Sequence, residues 1–194
     1  MTRLLIITFI LMFNATIVAQ NNDESSKFFL DILNPTEKVI YSEYYFEDME
    51  NVEELIFNHQ KLYKTKKIEN TKNYEVTDSI ILTKLELEYV VNEIKKNKKI
   101  ENWSRGLIEN SKLISKKKVN KIFQDSSKGW KYFNDKIGSG FYSFSKPIFL
   151  RENSICFFYN SYGSGSLSGS GEFAVFVKEN GEWKHFDAIS FWIS

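Results

Sequence analysis

The sequence predicts an α+β fold: helices over 20–138 packed on a C-terminal antiparallel β-meander over 141–194. Three observations carry that expectation. LTKLELEYVVNEIKKNKK pairs a Thr83/Glu86 capping box with an apolar stripe at Leu87, Val90, Val91 and Ile94, as an amphipathic helix requires. From Phe141 onward the runs SKPIFL, NSICFFY, EFAVFVK and EWKHFDAISFWIS are β-branched and aromatic, with turn residues between them. Asn180-Gly181 sits between two such runs, and both residues tolerate the positive φ of a type I′ hairpin.

Taken in order, MTRLLIITFILMFNATIVAQ has an early Arg3, an apolar run from Leu4 to Phe13 and small residues up to Ala19. That is the layout of a signal peptide over 1–19, and the run is shorter than the roughly 20 residues of a membrane span. The expectation is export to the periplasm or beyond, with no span in the mature chain. SKFFLDIL is too short to assign, and KVIYSEYYF fits a strand or a helix. MENVEELIFNHQKLYK places Val52, Leu55, Ile56, His59 and Leu62/Tyr63 at helical spacing, and TKKIENTKN reads as a polar connector. Lysines 95, 96, 98 and 99 close the capped helix, where its dipole favours cations. Residues 101–124 are irregular, with a short helix through Val119, Ile122 and Phe123. In SSKGWKYFNDKIGSG, Trp130, Phe133 and Ile137 form one helical face. EFAVFVK is apolar on both sides, which marks a covered central strand, with the helices placed on one of its faces.

The 194 residues suit one domain, 20–194 after the leader, and an aromatic content of 16% excludes a disordered composition. Charge is unevenly spread: 20–94 carries 16 acids against 8 bases, and 95–136 carries 13 bases against 4 acids. Packing of the two segments against each other is the simplest use of that asymmetry. With Arg3 removed the mature chain is neutral, and together with export this argues against nucleic acid.

Chemistry is sparsely provided. Cys156 stands alone in SICFFY and reads as core filler. NSYGSGSLSGSGEF (160–173) resembles a phosphate loop only in its glycines, because no Lys-Ser/Thr and no helix follow it. Two distant histidines provide no metal-ligand spacing, and no cofactor motif occurs. On the last strand Trp183, His185 and Asp187 share a face by the period of two, and His185 with a serine of the 163–171 bend is the hydrolase alternative. No nucleophile-elbow sequence supports it, so no catalytic residue is assigned.

The segments FYSFSKPIFLREN, NSICFFYNSYGSGSLSGSGEFAVFVKENGEWK and the closing WIS, with Gly129-Trp130 before them, resemble a group of uncharacterised secreted proteins of Bacteroidetes-type bacteria. The resemblance spans roughly 74–194 and carries no established activity. Members of that group often read C-G-x-L-C-G-x-G in the bend, where this chain has Ser164 and Ser168. The function expected is therefore a non-enzymatic binding domain for a protein or envelope component. The candidate contact residues are Tyr162, Ser164, Ser166, Leu167, Ser168, Trp183, His185 and Trp192, with a long hairpin bend at 160–171.

Overall fold

The structure, a computed structural model, describes residues 24–33, 39–41, 43, 51–97, 102–103, 108 and 111–194. The leader over 1–19 lies outside the described residues, as does most of KVIYSEYYF. The chain runs α1 (24–33), β1 (Val39–Tyr41), α2 (Val52–Asn58), β2 (Lys61–Lys67), β3 (Tyr74–Ile81) and α3 (Lys84–Asn97). It continues through β4 (Lys112–Ile114), α4 (Lys116–Phe123), α5 (Gly129–Lys136), β5 (Phe141–Phe144), β6 (Ile148–Leu150), β7 (Ile155–Gly165), β8 (Ser168–Glu179) and β9 (Glu182–Ile193). Among the described residues no helix is long and apolar enough to cross a membrane.

The main sheet has seven strands, in the order β4-β1-β5-β7-β8-β9 with β6 also on β7. From β5 to β9 it is the predicted antiparallel meander, and β1 adds two short parallel pairings, to β4 and to β5. β5 and β6 occupy one edge of β7 in succession, opposite 160–163 and 155–157 respectively. Pro147 cannot donate to a ladder, so the line breaks there. Ser145 fills the break: its N–H donates to the Tyr159 carbonyl at 3.0 Å, and its hydroxyl accepts from the Tyr159 N–H at 3.1 Å. At the β8–β9 turn, Asn180 and Gly181 have φ of 53° and 85°, as the type I′ reading requires.

β7 and β8 bury both of their faces. Ile155, Phe157, Tyr159, Phe173 and Val175 point into one core with Val52, Ile56, Leu87, Val90, Val91 and Ile94 of α2 and α3. Cys156, Phe158, Ala174 and Phe176 point into a second core with Phe28, Phe29 and Leu33 of α1, beside Trp103 and Trp183. Helices therefore lie on both faces of the sheet, not on one: SKFFLDIL, too short to assign from sequence, is the cover of the second face. Each buried phenylalanine contributes about 2–3 kcal/mol of transfer free energy. A smaller cluster joins Ile122 of α4 to Phe133 of α5, with Trp130, Ile137 and Phe141 against it, so the predicted Trp130/Phe133/Ile137 face is formed.

The clearest departure from expectation is the β2–β3 ribbon. The helix predicted over 49–64 stops at Asn58, and the supposed connector is the tip of a two-stranded hairpin. Leu62 alone among the residues of β2 and β3 is fully buried, and Tyr74, Val76 and Ile81 are exposed. A ribbon wetted on both faces has no apolar alternation to reveal it.

Polar clamps at the margins of the cores hold the covers in place. Glu86 accepts from the Thr83 N–H at 2.7 Å and the Glu86 N–H donates to Thr83 Oγ1 at 3.2 Å, completing the predicted capping box. The same carboxylate takes Arg151 in a bidentate pair, Nε at 2.7 Å and Nη2 at 3.1 Å, and Nη2 also donates to the Ile81 carbonyl at 2.7 Å. Arg151, Glu152 and Asn153 form the β6–β7 turn with φ of 49°, 54° and 60°, a left-handed run unusual for residues with side chains. The guanidinium thus anchors a costly turn to the start of α3. On the other face Glu24 of α1 accepts from Lys178 Nζ at 2.7 and 2.8 Å and from the Trp183 indole at 2.9 Å. Asp31, seven residues along the same helix face, accepts from the Trp183 N–H at 3.0 Å.

Hydrogen bonding to Arg151 lowers the pKa of Glu86 from 4.5 to about 2. A depressed carboxylate stabilises the fold above its unfolded pKa and loses that contribution as pH falls through the folded value. Arg151→Ala keeps the left-handed strain and removes the anchor, so it should lower unfolding free energy by roughly 1–2 kcal/mol at pH 7. In urea titrations that difference should shrink as pH falls from 4.5 towards 2.

Candidate functional site

Among the described residues, Phe28, Phe29 and Leu33 of α1 pack over the part of this sheet face that holds Phe158, Ala174 and Phe176. Beyond the Ala174–Ala188 cross-strand pair the face changes from core to an open groove of about 340 Å³. Its lining includes Asn160, Ser170, Glu172, His185, Phe191 and Ile193. Phe191 stands opposite Glu172 and Ile193 opposite Ser170, with 73% and 79% of their surfaces exposed. The two stand side by side on one face of β9, and neighbouring apolar groups of this kind are a feature of interaction surfaces.

At the core end of the groove His185 Nε2 lies 3.3 Å from Glu172 Oε2, and Asn160 Nδ2 donates to Glu172 Oε1 at 3.3 Å. The hydrogen bond with Glu172 raises the His185 pKa above its usual 6.5, against the opposing pull of partial burial. The same bond lowers the Glu172 pKa, again against partial burial. The Phe176 ring meets the imidazole edge-on at 5.5 Å, so the pair stands where the core ends.

The placement of His185 depends on two register shifts in β9, opposite Phe173/Ala174 and Val175/Phe176. Trp183 and His185 share a face, but the extra residue at Phe186 turns Asp187 to the opposite one. There Asp187 accepts from the Tyr63 N–H at 2.8 Å and ties β2 to β9. The predicted Trp183/His185/Asp187 face is therefore corrected: a bulge breaks the period of two. The orienting carboxylate is Glu172, on the neighbouring strand, which sequence reasoning missed.

The remaining candidates divide. Trp183 is buried, its indole bound to Glu24 and its ring under the Lys178 ammonium, so it is a core anchor and not a contact residue. Tyr162 is half-buried, packed on Tyr142 at a ring separation of 4.7 Å, with its hydroxyl donating to the Ser139 carbonyl. Trp192 donates its indole N–H to Tyr159 Oη at 3.2 Å and lies on Gly171, where an added Cβ would fall 2.5 Å from the indole nitrogen. Trp130 lies on Gly163 in the same way, at 3.4 Å from such a Cβ.

The 160–171 segment is thus not a long bend. β7 and β8 stay paired to Gly165 and Ser168, and only Ser166 and Leu167 lie outside them, with Leu167 87% exposed. The glycines are strand positions that make room for two indoles, which cover them as cross-strand aromatics do. Ser164 Oγ lies 3.0 Å from Ser168 Oγ, and Asn134 of α5 donates to the Ser164 carbonyl at 2.9 Å. Ser168 is four strand residues beyond Glu172, about 13 Å at the usual rise. The tip serines are engaged with each other and do not join His185. Cys156 is fully buried, and burial pushes its thiol pKa well up, away from the nucleophilic thiolate.

The Glu172–His185 pair has a defined pH signature. His185 should titrate above 6.5 by NMR, and Glu172→Gln should bring it down by removing the partner. The raised histidine contributes below its unfolded pKa and loses that contribution as pH rises through the folded one; the lowered Glu172 contributes above its own unfolded value. The stability difference between the wild type and Glu172→Gln is then greatest near pH 5–6, and at this exposure it stays below about 1 kcal/mol. No protein-family model matches the chain, and neither a curated protein nor a solved structure gives a significant match.

Proposed function

We propose that this chain is an exported, non-enzymatic binding domain that takes a protein partner in the groove at the open end of the β7–β9 face. The leader-like first residues support export, and the groove supports binding. The observation that carries the reading is the pairing of two exposed apolar side chains, Phe191 and Ile193, with the Glu172–His185 ion pair inside one concavity. An aromatic anchor beside a fixed polar pair is the usual anatomy of a binding hot spot: the ring supplies buried area and the polar groups set orientation. Glu172 is oriented from two sides, so a partner's donor or cation meets a carboxylate already in place.

Because Phe191 and Ile193 are mostly solvated, replacing them should change stability by no more than about 0.5 kcal/mol. Purified wild type and Phe191→Ser/Ile193→Ser should be compared as baits for an envelope extract. The expected result is a partner retained by the wild type and weakened roughly tenfold or more by the double substitution. Identical retention by the two baits, or none by either, would contradict the assignment.

A further inference from the structure

The basic segment is only partly neutralised by its acidic neighbour. Lys95 pairs with Glu53 and Lys116 with Glu43, as the packing of the two segments would have it, and Lys131 pairs locally with Asp135. Lys118 and Lys121 have no carboxylate within ion-pair distance among the described residues, and they stand three residues apart on one face of α4. Lys128, at the start of α5, faces them across a cleft of about 310 Å³ whose lining also includes Ile122 and Tyr132. Lys128 lies 5.7 Å from the centre of the Tyr132 ring and is held in place by Asp125, which does not line the cleft.

This arrangement is unfavourable in the free protein. The first turn of α4 carries Lys116, Lys117 and Lys118 and no acid, at the end of the helix where the dipole is already positive. Lys118 and Lys121 add a like-charge pair at i, i+3. Ser115 caps the helix through the Lys118 N–H, so the local sequence supports the helix while its charges oppose it. Conflicts of this kind between local levels are where binding sites occur. An oxyanion between the two helices would offset the Lys118–Lys121 repulsion and the positive charge at Lys118 in the first turn of α4.

We propose that the α4–α5 cleft is a binding site for a phosphate-bearing ligand, with Lys118, Lys121 and Lys128 as the cationic contacts and the Tyr132 ring as its wall. Two or more ammonium groups around one pocket suit a dianionic phosphate monoester over a monoanionic carboxylate. The phosphate can belong to a soluble ester or to a lipid headgroup, and the site chemistry is the same for both. This inference is independent of the β7–β9 groove and stands or falls separately.

The test uses the mature chain, Lys118→Ala/Lys121→Ala, and Lys131→Ala as a charge control outside the cleft. Inorganic phosphate is titrated by NMR, and co-sedimentation is measured with phosphatidylcholine vesicles with and without phosphatidic acid. Saturable shifts at Tyr132 and α4 are expected for the wild type and Lys131→Ala, weakened roughly tenfold in the double variant. Without phosphate, the double variant should have the higher melting temperature, and phosphate should raise that of the wild type and Lys131→Ala more than that of the double variant. Co-sedimentation only with phosphatidic acid would assign the ligand to a headgroup, and its absence alongside saturable phosphate shifts would assign it to a soluble ester. Equal phosphate affinity in the wild type and double variant, or a response that tracks ionic strength without saturating, would overturn the proposal.

Discussion

Everything in this molecule depends on β7 and β8 being buried on both faces. Phe157, Phe158, Tyr159, Phe173, Ala174 and Val175 are all at most 1% exposed, although successive residues point in opposite directions. A strand pair of this kind cannot exist without two covers, so α2 and α3 on one side and α1 on the other are required by it. α1 contributes Phe28 and Phe29, which meet Phe158, Phe176, Trp183, Trp103 and Phe144 in edge-on and tilted contacts at ring separations of 4.9 to 5.9 Å. The groove follows from the same constraint. It lies on the same sheet face as the α1 core, beyond the Ala174–Ala188 pair.

The polar clamps give the covers their register. Glu86 starts α3, holds Arg151, and so links the β6–β7 turn to the helix that covers the sheet. Glu24, Phe28 and Asp31 recur at four and three residues, so one face of α1 presents a carboxylate, a ring and a carboxylate to Lys178 and Trp183. Hydrophobic burial is non-directional and would tolerate small shifts of either helix. These bonds are directional, and a displaced helix would lose their geometry and leave the indole N–H of buried Trp183 without its Glu24 partner.

Much of the architecture was legible in the sequence because it rests on local chemistry. The Thr83/Glu86 box, the Asn180-Gly181 turn and the Trp130/Phe133/Ile137 face each need only residues within a few positions of one another. The β2–β3 ribbon was not legible, since wetting on both faces erases alternation. Glycine and serine weaken strand propensity, so 160–171 read as a bend; its strand character comes from pairing and from the indoles of Trp130 and Trp192. The candidate site was legible only in part. His185 was visible, but Glu172 reaches it across a strand pair whose two bulges cannot be counted from sequence, and the same bulges send Asp187 to the other face. Trp183 looked like a contact residue because nothing in its neighbourhood shows that α1 closes over it.

The central claim is that one doubly covered hairpin carries the stability and that its far end is left open for binding. Native-state hydrogen exchange across β7, β8 and β9 tests this most directly, because it measures opening free energy residue by residue. Amides of 156–159 and 173–176 should exchange only by global unfolding, while those of 161–170 and 189–193 should exchange at least about tenfold faster through local opening. Uniform protection along the full length of the three strands, or slowest exchange at the glycine-rich end, would contradict the account.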